Sequence, residues 1–295
     1  MDAPTTVHPT RSAAIATRIV GIGASAGGLA AMEQFLKHIP LDSGMAYVVV
    51  QHLDPTQKAL LPELLQRITA MPVREAKHGM RIEPNSVYVI PPNAELSVAN
   101  GLLKLALPFE PRGMRLPINV LFSSLASAQG ERAIAVILSG MGSDGTLGMQ
   151  AIKAVGGLTA VQEPGSAQFD SMPQSAIAAG CSDIVATAAE LPARILEYVA
   201  QVSDPDMANE EEAPPALAIA PLQKIVALLQ QRTRHDFTPY KHSTLHRRIE
   251  RRMTIHSLNS LEDYAQFLEH NAQEIDLLFK ELLIGVTSFF RDPEV

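Results

Sequence analysis

The sequence predicts an α/β protein: a doubly wound, mostly parallel sheet with an antiparallel hairpin, followed by a small all-α domain. In the first two thirds of the chain, short runs of Val, Ile and Ala alternate with helix-like segments, which is typical of buried parallel strands and their crossover helices. Of the 18 glycines, 17 lie between Gly21 and Gly180. Beyond them the apolar residues recur at helical spacing.

Individual elements follow from the same patterns. The pair Asn100-Gly101 separates two strand-like runs and is a hairpin signal, so we expect one edge of the sheet to be antiparallel. The runs that predict parallel strands are 18–23, 46–51, 86–90, 133–138 and 158–162. The segments that predict helices between them are 29–38, 57–69, 118–128 and 146–154.

Length and charge divide the chain into two domains. At roughly 150 residues per domain, 295 residues correspond to about two. We place the first domain at 17–200 and a helical domain at 218–295. Between them, 201–217 carries five acidic residues, no basic residue and three prolines, which indicates a solvated linker.

Composition excludes several classes of protein. The net charge is −7, which argues against binding nucleic acid over the whole surface. No apolar run reaches the roughly 18 residues that a membrane span needs. Cys181 is the single cysteine, which excludes an intramolecular disulfide and favours a reducing compartment. We therefore expect a cytoplasmic protein without membrane insertion. With one cysteine and no closely spaced set of His and Asp ligands, the sequence predicts no metal site.

A serine lies in a glycine-rich turn at the end of the first strand. Ser25 stands within Gly23-Ala24-Ser25-Ala26-Gly27, between a strand and a helix, which is the pattern of a nucleophile elbow. The turn would hold its hydroxyl at the sheet edge, close to the positive end of the next helix.

A base and an acid are predicted at the same edge. His52 directly follows the second strand, one strand-helix-strand unit after Ser25, so both side chains should project from the carboxyl ends of neighbouring strands. Asp144 follows another strand, and its alternative role is to cap the helix that begins at Thr146. Asp54, Glu163 and Asp170 are competing candidates for the carboxylate that orients His52.

The same loops also permit a nucleotide-binding interpretation. Gly140-x-Gly142-x-x-Gly145 fits the dinucleotide fingerprint, and Glu163 follows 18 residues later, where an acid could bind a ribose. However, Asp144 would place a carboxylate beside a bound pyrophosphate, and the two negative charges would repel each other. A nucleotide-binding oxidoreductase therefore stays an alternative, as does a catalytically silent scaffold that only positions other proteins.

Three segments resemble the signature motifs of CheB-type protein-glutamate methylesterases. They are GIGASAGG at 21–28, VQHLDP at 50–55 and LSGMGSDG at 138–145, and the similarity extends over about 17–200. The resemblance implies Ser25 as nucleophile, His52 as general base and Asp144 as orienting acid. It also implies that the backbone N–H groups of Ala26 and Met141 bind the oxyanion. The implied activity is hydrolysis of glutamate γ-methyl esters, or deamidation of glutamine, on the helices of a methyl-accepting chemoreceptor or similar methylated protein, with no cofactor.

The second domain resembles the N-terminal helical domain of CheR-type protein-glutamate methyltransferases. The resemblance is carried by DFTPYK at 236–241, TLHRRIERRM at 244–253 and LIGVTSFFRD at 283–292. It implies a fragment of a methylesterase–methyltransferase fusion in which S-adenosylmethionine would bind only to a methyltransferase domain absent here.

The same domain carries a basic helix face. Its arginines lie one helical turn apart, where like charges repel each other. We expect them to face solvent and to bind an acidic receptor surface rather than nucleic acid, a solvated basic face being the alternative. These residues are Arg247, Arg248, Arg251 and Arg252.

Overall fold

The computed structural model describes residues 17–52, 60–111, 114–202, 219–235, 237, 240 and 242–283. At its centre lies a seven-stranded sheet in which all neighbouring strands are parallel, in the order β3-β4-β2-β1-β7-β8-β9, and β5 and β6 form a separate antiparallel pair. The strands are β1 (Ile19–Ala24), β2 (Ala46–Gln51), β3 (Val73–Glu75), β4 (Ser86–Val89), β5 (Glu95–Ala99), β6 (Leu102–Ala106), β7 (Ile134–Ile137), β8 (Leu158–Gln162) and β9 (Ile184–Ala186).

The five predicted parallel strands are confirmed, as is the hairpin. The expectation that the hairpin forms one edge of the main sheet is wrong, because β5 and β6 form a pair outside that sheet, whose two edges are β3 and β9. Asn100 and Gly101 have φ values of 52° and 72°, which a two-residue turn of this kind requires. The edge strands β3 and β9 were not predicted from the sequence, because each has only three residues, which are too few to show an alternating or apolar pattern.

Helices cover both faces of the sheet. The buried side chains of α1 and α6 pack on one face, and those of α3, α4 and α5 pack on the other. Gly21 and Gly23 in β1 allow α3 to approach closely, because a Cβ atom at either position would lie within 2.5 Å of Leu125 or Ile118. The helices are α1 (Gly28–Lys37), α2 (Leu61–Gln66), α3 (Pro117–Gln129), α4 (Thr146–Ala154), α5 (Ser171–Ala178), α6 (Leu191–Val202), α7 (Ile219–Thr233), α8 (His242–Ile255), α9 (Leu261–His270) and α10 (Ala272–Leu283).

The helices α7 to α10 form a module with its own hydrophobic core. Leu222, Leu229, Tyr264 and Leu268, which the helical spacing placed on apolar faces, are all buried there. The first two residues of the predicted linker 201–217 end helix α6, and the rest of it lies outside the described residues. Among the described residues, no helix is both long and apolar enough to span a membrane.

The helical module packs against the first domain at the amino ends of β8 and β9. Arg251 in α8 donates to the carbonyl oxygens of Gly156 and Gly157, just before β8, at 3.2 and 2.6 Å. Asp183, the residue before β9, accepts from Arg251 at 2.9 Å and from Arg252 at 2.8 Å. All strands of the sheet run in the same direction, so the module lies at the edge opposite to the one where β1, β2 and β7 end.

A buried ionic cluster occupies this interface. Asp183 accepts hydrogen bonds from five donors. Burial opposes its ionisation, but Arg251, Lys153 and Arg252 together outweigh burial and hold the pKa of Asp183 far below its usual range. Balanced charge is required here because an unpaired buried charge costs several kcal/mol. Within the described residues, the cations of the cluster are Lys153, Arg251 and Arg252, and the carboxylates are Asp183, Glu274 and Glu281.

The expectation that the arginines of α8 face solvent is wrong for the three whose side chains the structure describes. The side chain of Arg252 is completely buried, that of Arg251 is 11% exposed and that of Arg248 is 14% exposed, while the side chain of Arg247 lies outside the described part of the chain. The repulsion between cations one turn apart is offset by Glu281 of α10 and by Asp183 of the first domain. The acidic partner of Arg251 and Arg252 is thus part of the same chain.

Candidate active site

The crevice at the carboxyl end of the sheet lies between β1 and β7. These neighbouring parallel strands lead into helices on opposite faces, since α1 follows β1 onto one face and α4 follows β7 onto the other. The two loops therefore diverge, and such a topological switch point is where open α/β sheets form their sites. Ser25 and the segment 139–145 lie in these two loops.

Ser25 lies in the turn between β1 and α1. Its backbone N–H donates to the carbonyl oxygen of Ser139 at 3.0 Å, which joins the β1 loop to the β7 loop. Gly27 has a φ of 69°, a left-handed conformation that favours glycine. A Cβ atom at Gly140 would lie only 3.0 Å from Cβ of Ser25. The glycines thus allow the chain to place the serine directly against the second loop.

His52 and Asp144 are joined by a hydrogen bond. Nε2 of His52 lies 2.8 Å from Oδ2 of Asp144, whose side chain is 3% exposed, whereas that of His52 is 36% exposed. The backbone N–H of His52 also donates to the carbonyl oxygen of Ala24, the residue before Ser25, at 3.3 Å. The three predicted residues therefore lie at the ends of β1, β2 and β7, which are adjacent in the sheet.

Asp144 also caps a helix, but not the one expected from the sequence. The predicted partner was the helix that begins at Thr146, and Gly145 occupies the N-cap position there instead. The carboxylate of Asp144 accepts from the backbone N–H groups of Ile118 and Asn119 at 3.0 Å each, in the first turn of α3. The side chain of Asn119 in turn accepts from the backbone N–H groups of Gly145 and Gly148. Sequence analysis missed Asn119, and the only signal was Pro117 at the helix start.

The backbone N–H of Ala26 is directed outward by the hydrogen bonds of its own peptide group. The carbonyl oxygen of that group belongs to Ser25 and accepts from the backbone N–H of Gly28 at 2.9 Å and from Nε2 of Gln51 at 3.5 Å. The described residues contain no cis peptide bond, so the N–H points away from these partners. No described residue accepts a hydrogen bond from it.

The backbone N–H of Met141 is held in the same way. The carbonyl oxygen of its peptide group belongs to Gly140 and accepts from the backbone N–H of Met172 at 3.0 Å and from Oγ of Ser171 at 3.3 Å. The N–H on the opposite side has no acceptor among the described residues. The backbone N–H groups of Ala26 and Met141 are thus both oriented and both without an acceptor among the described residues. They lie in the two loops that meet at Ser25 and could bind a negatively charged oxygen there.

Of the other candidate acids, Asp170 and Glu163 are described by the structure, and neither contacts His52. Asp170 accepts from Nε2 of Gln174, Glu163 is exposed at the end of β8, and Asp54 lies outside the described residues. No three His, Cys, Asp or Glu side chains of the described residues lie close enough to hold a metal ion.

Two of the three glycines in the dinucleotide-like segment 140–145 are explained by packing, and the third, Gly142, by its φ of 85°. A Cβ atom at Gly140 would lie 2.2 Å from Sδ of Met172, and one at Gly145 would lie 2.8 Å from Ile118. Moreover, the carboxylate of Asp144 already occupies the amino terminus of α3, where a phosphate would be repelled.

Comparisons with known proteins match both parts of the chain. Residues 20–195 match the CheB methylesterase family, and 220–283 match the all-alpha domain of CheR methyltransferases. The crystal structure of the Thermotoga maritima CheB methylesterase catalytic domain superposes with a TM-score of 0.56 at 28% identity, covering 62% of this chain and 99% of that one.

Two relatives have similar identity over different lengths. A protein-glutamate methylesterase/protein-glutamine glutaminase of Thiobacillus denitrificans is 36% identical over 187 residues, which are 62% of this chain and 52% of that protein. An uncharacterised 104.1 kDa protein of Rhodobacter capsulatus is 36% identical over 253 residues, which are 79% of this chain and 26% of that protein. The chain thus spans about half the length of the first relative and a quarter of the second.

The matched family domain includes the crevice and all three residues at its edge, and it covers more than half of the chain. The chain therefore belongs to the CheB methylesterase family.

Proposed function

We propose that this chain is a protein-glutamate methylesterase and glutamine deamidase that acts on helices of a methyl-accepting chemoreceptor or a similar methylated protein. The observation that carries the proposal is the hydrogen bond between His52 and Asp144 at the strand ends beside Ser25. The names of relatives such as the Thiobacillus denitrificans protein support the substrate class.

The nitrogen that acts as base follows from this hydrogen bond. An ionised carboxylate only accepts hydrogen bonds, so Nε2 of His52 carries the proton that it shares with Asp144. Nδ1 is then unprotonated and is the atom that takes the proton of Ser25. The two backbone N–H groups from α3 keep the carboxylate of Asp144 in place while the imidazole becomes charged.

The reaction proceeds in two halves. Oγ of Ser25 attacks the γ-carbonyl carbon of the glutamate methyl ester while its proton passes to Nδ1 of His52. The backbone N–H groups of Ala26 and Met141 bind the resulting oxyanion. The C–O bond then breaks, and methanol leaves with the proton from His52. Water resolves the acyl-enzyme by the same steps and releases glutamate and free Ser25. With glutamine, ammonia leaves in place of methanol.

The test is methanol release from a methylated chemoreceptor fragment, with the chain compared to Ser25→Ala and His52→Ala. Each variant should lose at least ~10³-fold in turnover while it keeps its circular dichroism spectrum. Near-normal turnover in folded His52→Ala would contradict the proposal.

Labelling by a serine-directed phosphonate separates this function from its two alternatives. The label should attach to Ser25 in the wild type and not in Ser25→Ala. A silent scaffold or a nucleotide-binding oxidoreductase would not react at Ser25. Saturable heat on titration with NAD or NADP, together with no labelling, would favour the oxidoreductase.

A further inference from the structure

One side chain holds the loop of Met141 at two points. Oγ of Ser171 accepts a hydrogen bond from the backbone N–H of Gly142 at 3.0 Å and donates one to the carbonyl oxygen of Gly140 at 3.3 Å. A hydroxyl group has one hydrogen and two lone pairs, so both hydrogen bonds form at the same time. The hydroxyl therefore bridges the residues on either side of Met141.

These contacts involve the two peptide groups that flank Met141. The carbonyl oxygen of Gly140 belongs to the peptide group whose N–H is that of Met141, and the N–H of Gly142 belongs to the next one. Packing contributes little to the orientation of Met141 and Gly142 themselves. Gly142 has a φ of 85° with open space around it, and the side chain of Met141 is 60% exposed. Its orientation therefore depends on hydrogen bonds rather than on packing.

The hydroxyl is exposed, but the helix that carries it is anchored in the core. Ser171 is the first residue of α5, and the next residue, Met172, is completely buried and packs against Gly140. One turn later, Oγ of Ser175 lies within hydrogen-bonding distance of the carbonyl oxygen of Gly142, at 3.2 Å. A group held by a helix is located more closely than one on a free loop.

We propose that Ser171 is a positioning residue for the esterase reaction: its hydroxyl aims the backbone N–H of Met141 at the oxyanion that forms on the substrate. The proposal rests on the proposed function and deepens it. Ser171 touches no reacting atom and acts only through the two peptide groups beside Met141.

The size of the effect follows from what remains without the hydroxyl. Ser171→Ala leaves the hydrogen bond from the backbone N–H of Met172 to Gly140, so the N–H of Met141 is misdirected rather than removed. Removing an oxyanion donor costs about 10²- to 10³-fold in kcat. We therefore expect Ser171→Ala to lower kcat by about tenfold and to leave KM within about twofold, because this contact strengthens in the transition state.

A pair of substrates distinguishes positioning from general damage. A methyl ester and its thionoester differ only in the atom that becomes negative, and the larger sulfur fits poorly between two donors spaced for oxygen. Misdirection of one donor should therefore slow the ester more than the thionoester. The rate with the ester divided by the rate with the thionoester should then be lower in Ser171→Ala than in the wild type. A structural defect would lower both rates equally.

Two variants serve as controls. Ser171→Thr retains the hydroxyl and should restore most of the rate and the ratio. Ser127→Ala removes an exposed hydroxyl that bonds only within α3 and should change neither. In addition, hydrogen exchange of the segment 139–145 should be faster in Ser171→Ala than in the wild type, which reports on the loop without any substrate.

The outcomes separate this proposal from the proposed function. Wild-type methanol release that Ser25→Ala abolishes establishes the function. An unchanged rate ratio and unchanged exchange in Ser171→Ala would then overturn only the role of Ser171. A wild-type protein without Ser25-dependent methanol release would overturn both.

Discussion

Asp144 connects the chemistry of the site to its architecture. One carboxylate bonds Nε2 of His52 and also the two free N–H groups at the start of α3. A side chain with three donors around it has one stable orientation, so the imidazole it holds is oriented as well. Its two roles can be separated by substitution.

Replacing Asp144 by Asn or Ala should have similar effects on activity and different effects on stability. Asn presents an amide to the histidine and favours the wrong tautomer, so we expect turnover to fall by about 10³- to 10⁴-fold, as with Ala. Asn still offers one oxygen to α3, whereas Ala leaves two N–H groups without an acceptor and should cost about 1–2 kcal/mol. Methanol release and urea unfolding measure the two effects. Turnover of Asp144→Asn near the wild-type value would contradict the role of orienting acid.

The closest approach in the crevice is at Gly140. In Gly140→Ala the new methyl group would overlap Sδ of the buried Met172 and lie 3.0 Å from Cβ of Ser25. Relief of this overlap should displace the serine, and a displacement of about 1 Å can cost about 10²-fold in rate. Gly165→Ala is the matched control, since nothing lies within 4 Å of its Cβ position. Equal turnover of both variants would show that Ser25 does not depend on this contact.

At the scale of elements, the site depends on how α3 and α4 meet. Asn119 in the first turn of α3 accepts from the N–H groups of Gly145 and Gly148, so its amide fixes the loop that contains Asp144. Local periodicity indicates that each helix exists, but this contact between them depends on the sheet that brings their amino ends together.

Asn119→Ala should therefore affect stability and catalysis together. Two backbone N–H groups would lose their acceptor, which should cost about 1–3 kcal/mol, and the freed Asp144 loop should lower turnover as well. Urea unfolding and methanol release are the measurements. Ser127→Ala on the same helix removes an exposed hydrogen bond and should change neither. Reduced stability with unchanged turnover would mean that Asn119 does not position Asp144.

At the scale of the whole molecule, the two domains are joined by charge. Asp183 contacts Arg251 and Arg252 of the helical module and Lys153 of its own domain, all in a buried environment. Such a cluster gives little net stability when complete, but the loss of one member leaves an uncompensated buried charge. It lies at the edge of the sheet opposite to Ser25, so the described part of the helical module does not cover the crevice.

Asp183→Asn should strongly weaken the interface. Lys153, Arg251 and Arg252 would then lose the carboxylate that they share, and we expect a loss of about 3–5 kcal/mol in the free energy of unfolding. Arg232→Ala is the control: it breaks an exposed ion pair with Asp276, which should be worth about 0–1 kcal/mol. Urea unfolding compares the two, and faster proteolysis at the domain boundary in Asp183→Asn would report separation. An equal loss of unfolding free energy in Asp183→Asn and Arg232→Ala would show that the buried cluster is not required for stability.

The cluster also predicts sensitivity to acid. Burial raises the pKa of Glu274, but hydrogen bonds from His256 and Arg252 outweigh it and lower the pKa to about 2. An acid with a depressed folded-state pKa contributes stability that is complete above its unfolded value, near 4.3, and is lost as the pH falls through the folded value. The thermal midpoint should therefore drop between about pH 4.5 and 2. The thermal midpoint of Glu274→Gln should fall less over this pH range than that of the wild type. An equal fall in both proteins would contradict this role of Glu274.

Much of the first domain can be derived from the sequence alone. Continuous apolar runs predict buried parallel strands, because both faces of each strand are covered. The carboxyl ends of such strands meet at one edge, so Ser25 and His52, which follow two successive strands, are expected to lie close together. The sequence therefore predicted five of the seven strands and this proximity, while Asp144 stayed one of four candidate acids.

Only the tertiary structure decided which partner each polar group would have. Asp144 caps a helix that begins 27 residues earlier in the chain, and Asp183 binds Arg251 and Arg252 about 70 residues later. Contacts over such distances leave no periodic trace in the sequence. A row of arginines on a helix has the same pattern whether it faces water or a buried carboxylate, since hydrophobic spacing records burial only for apolar residues. Arg251 and Arg252 are paired with carboxylates of the same chain, and this pairing depends on the folded arrangement of its two domains.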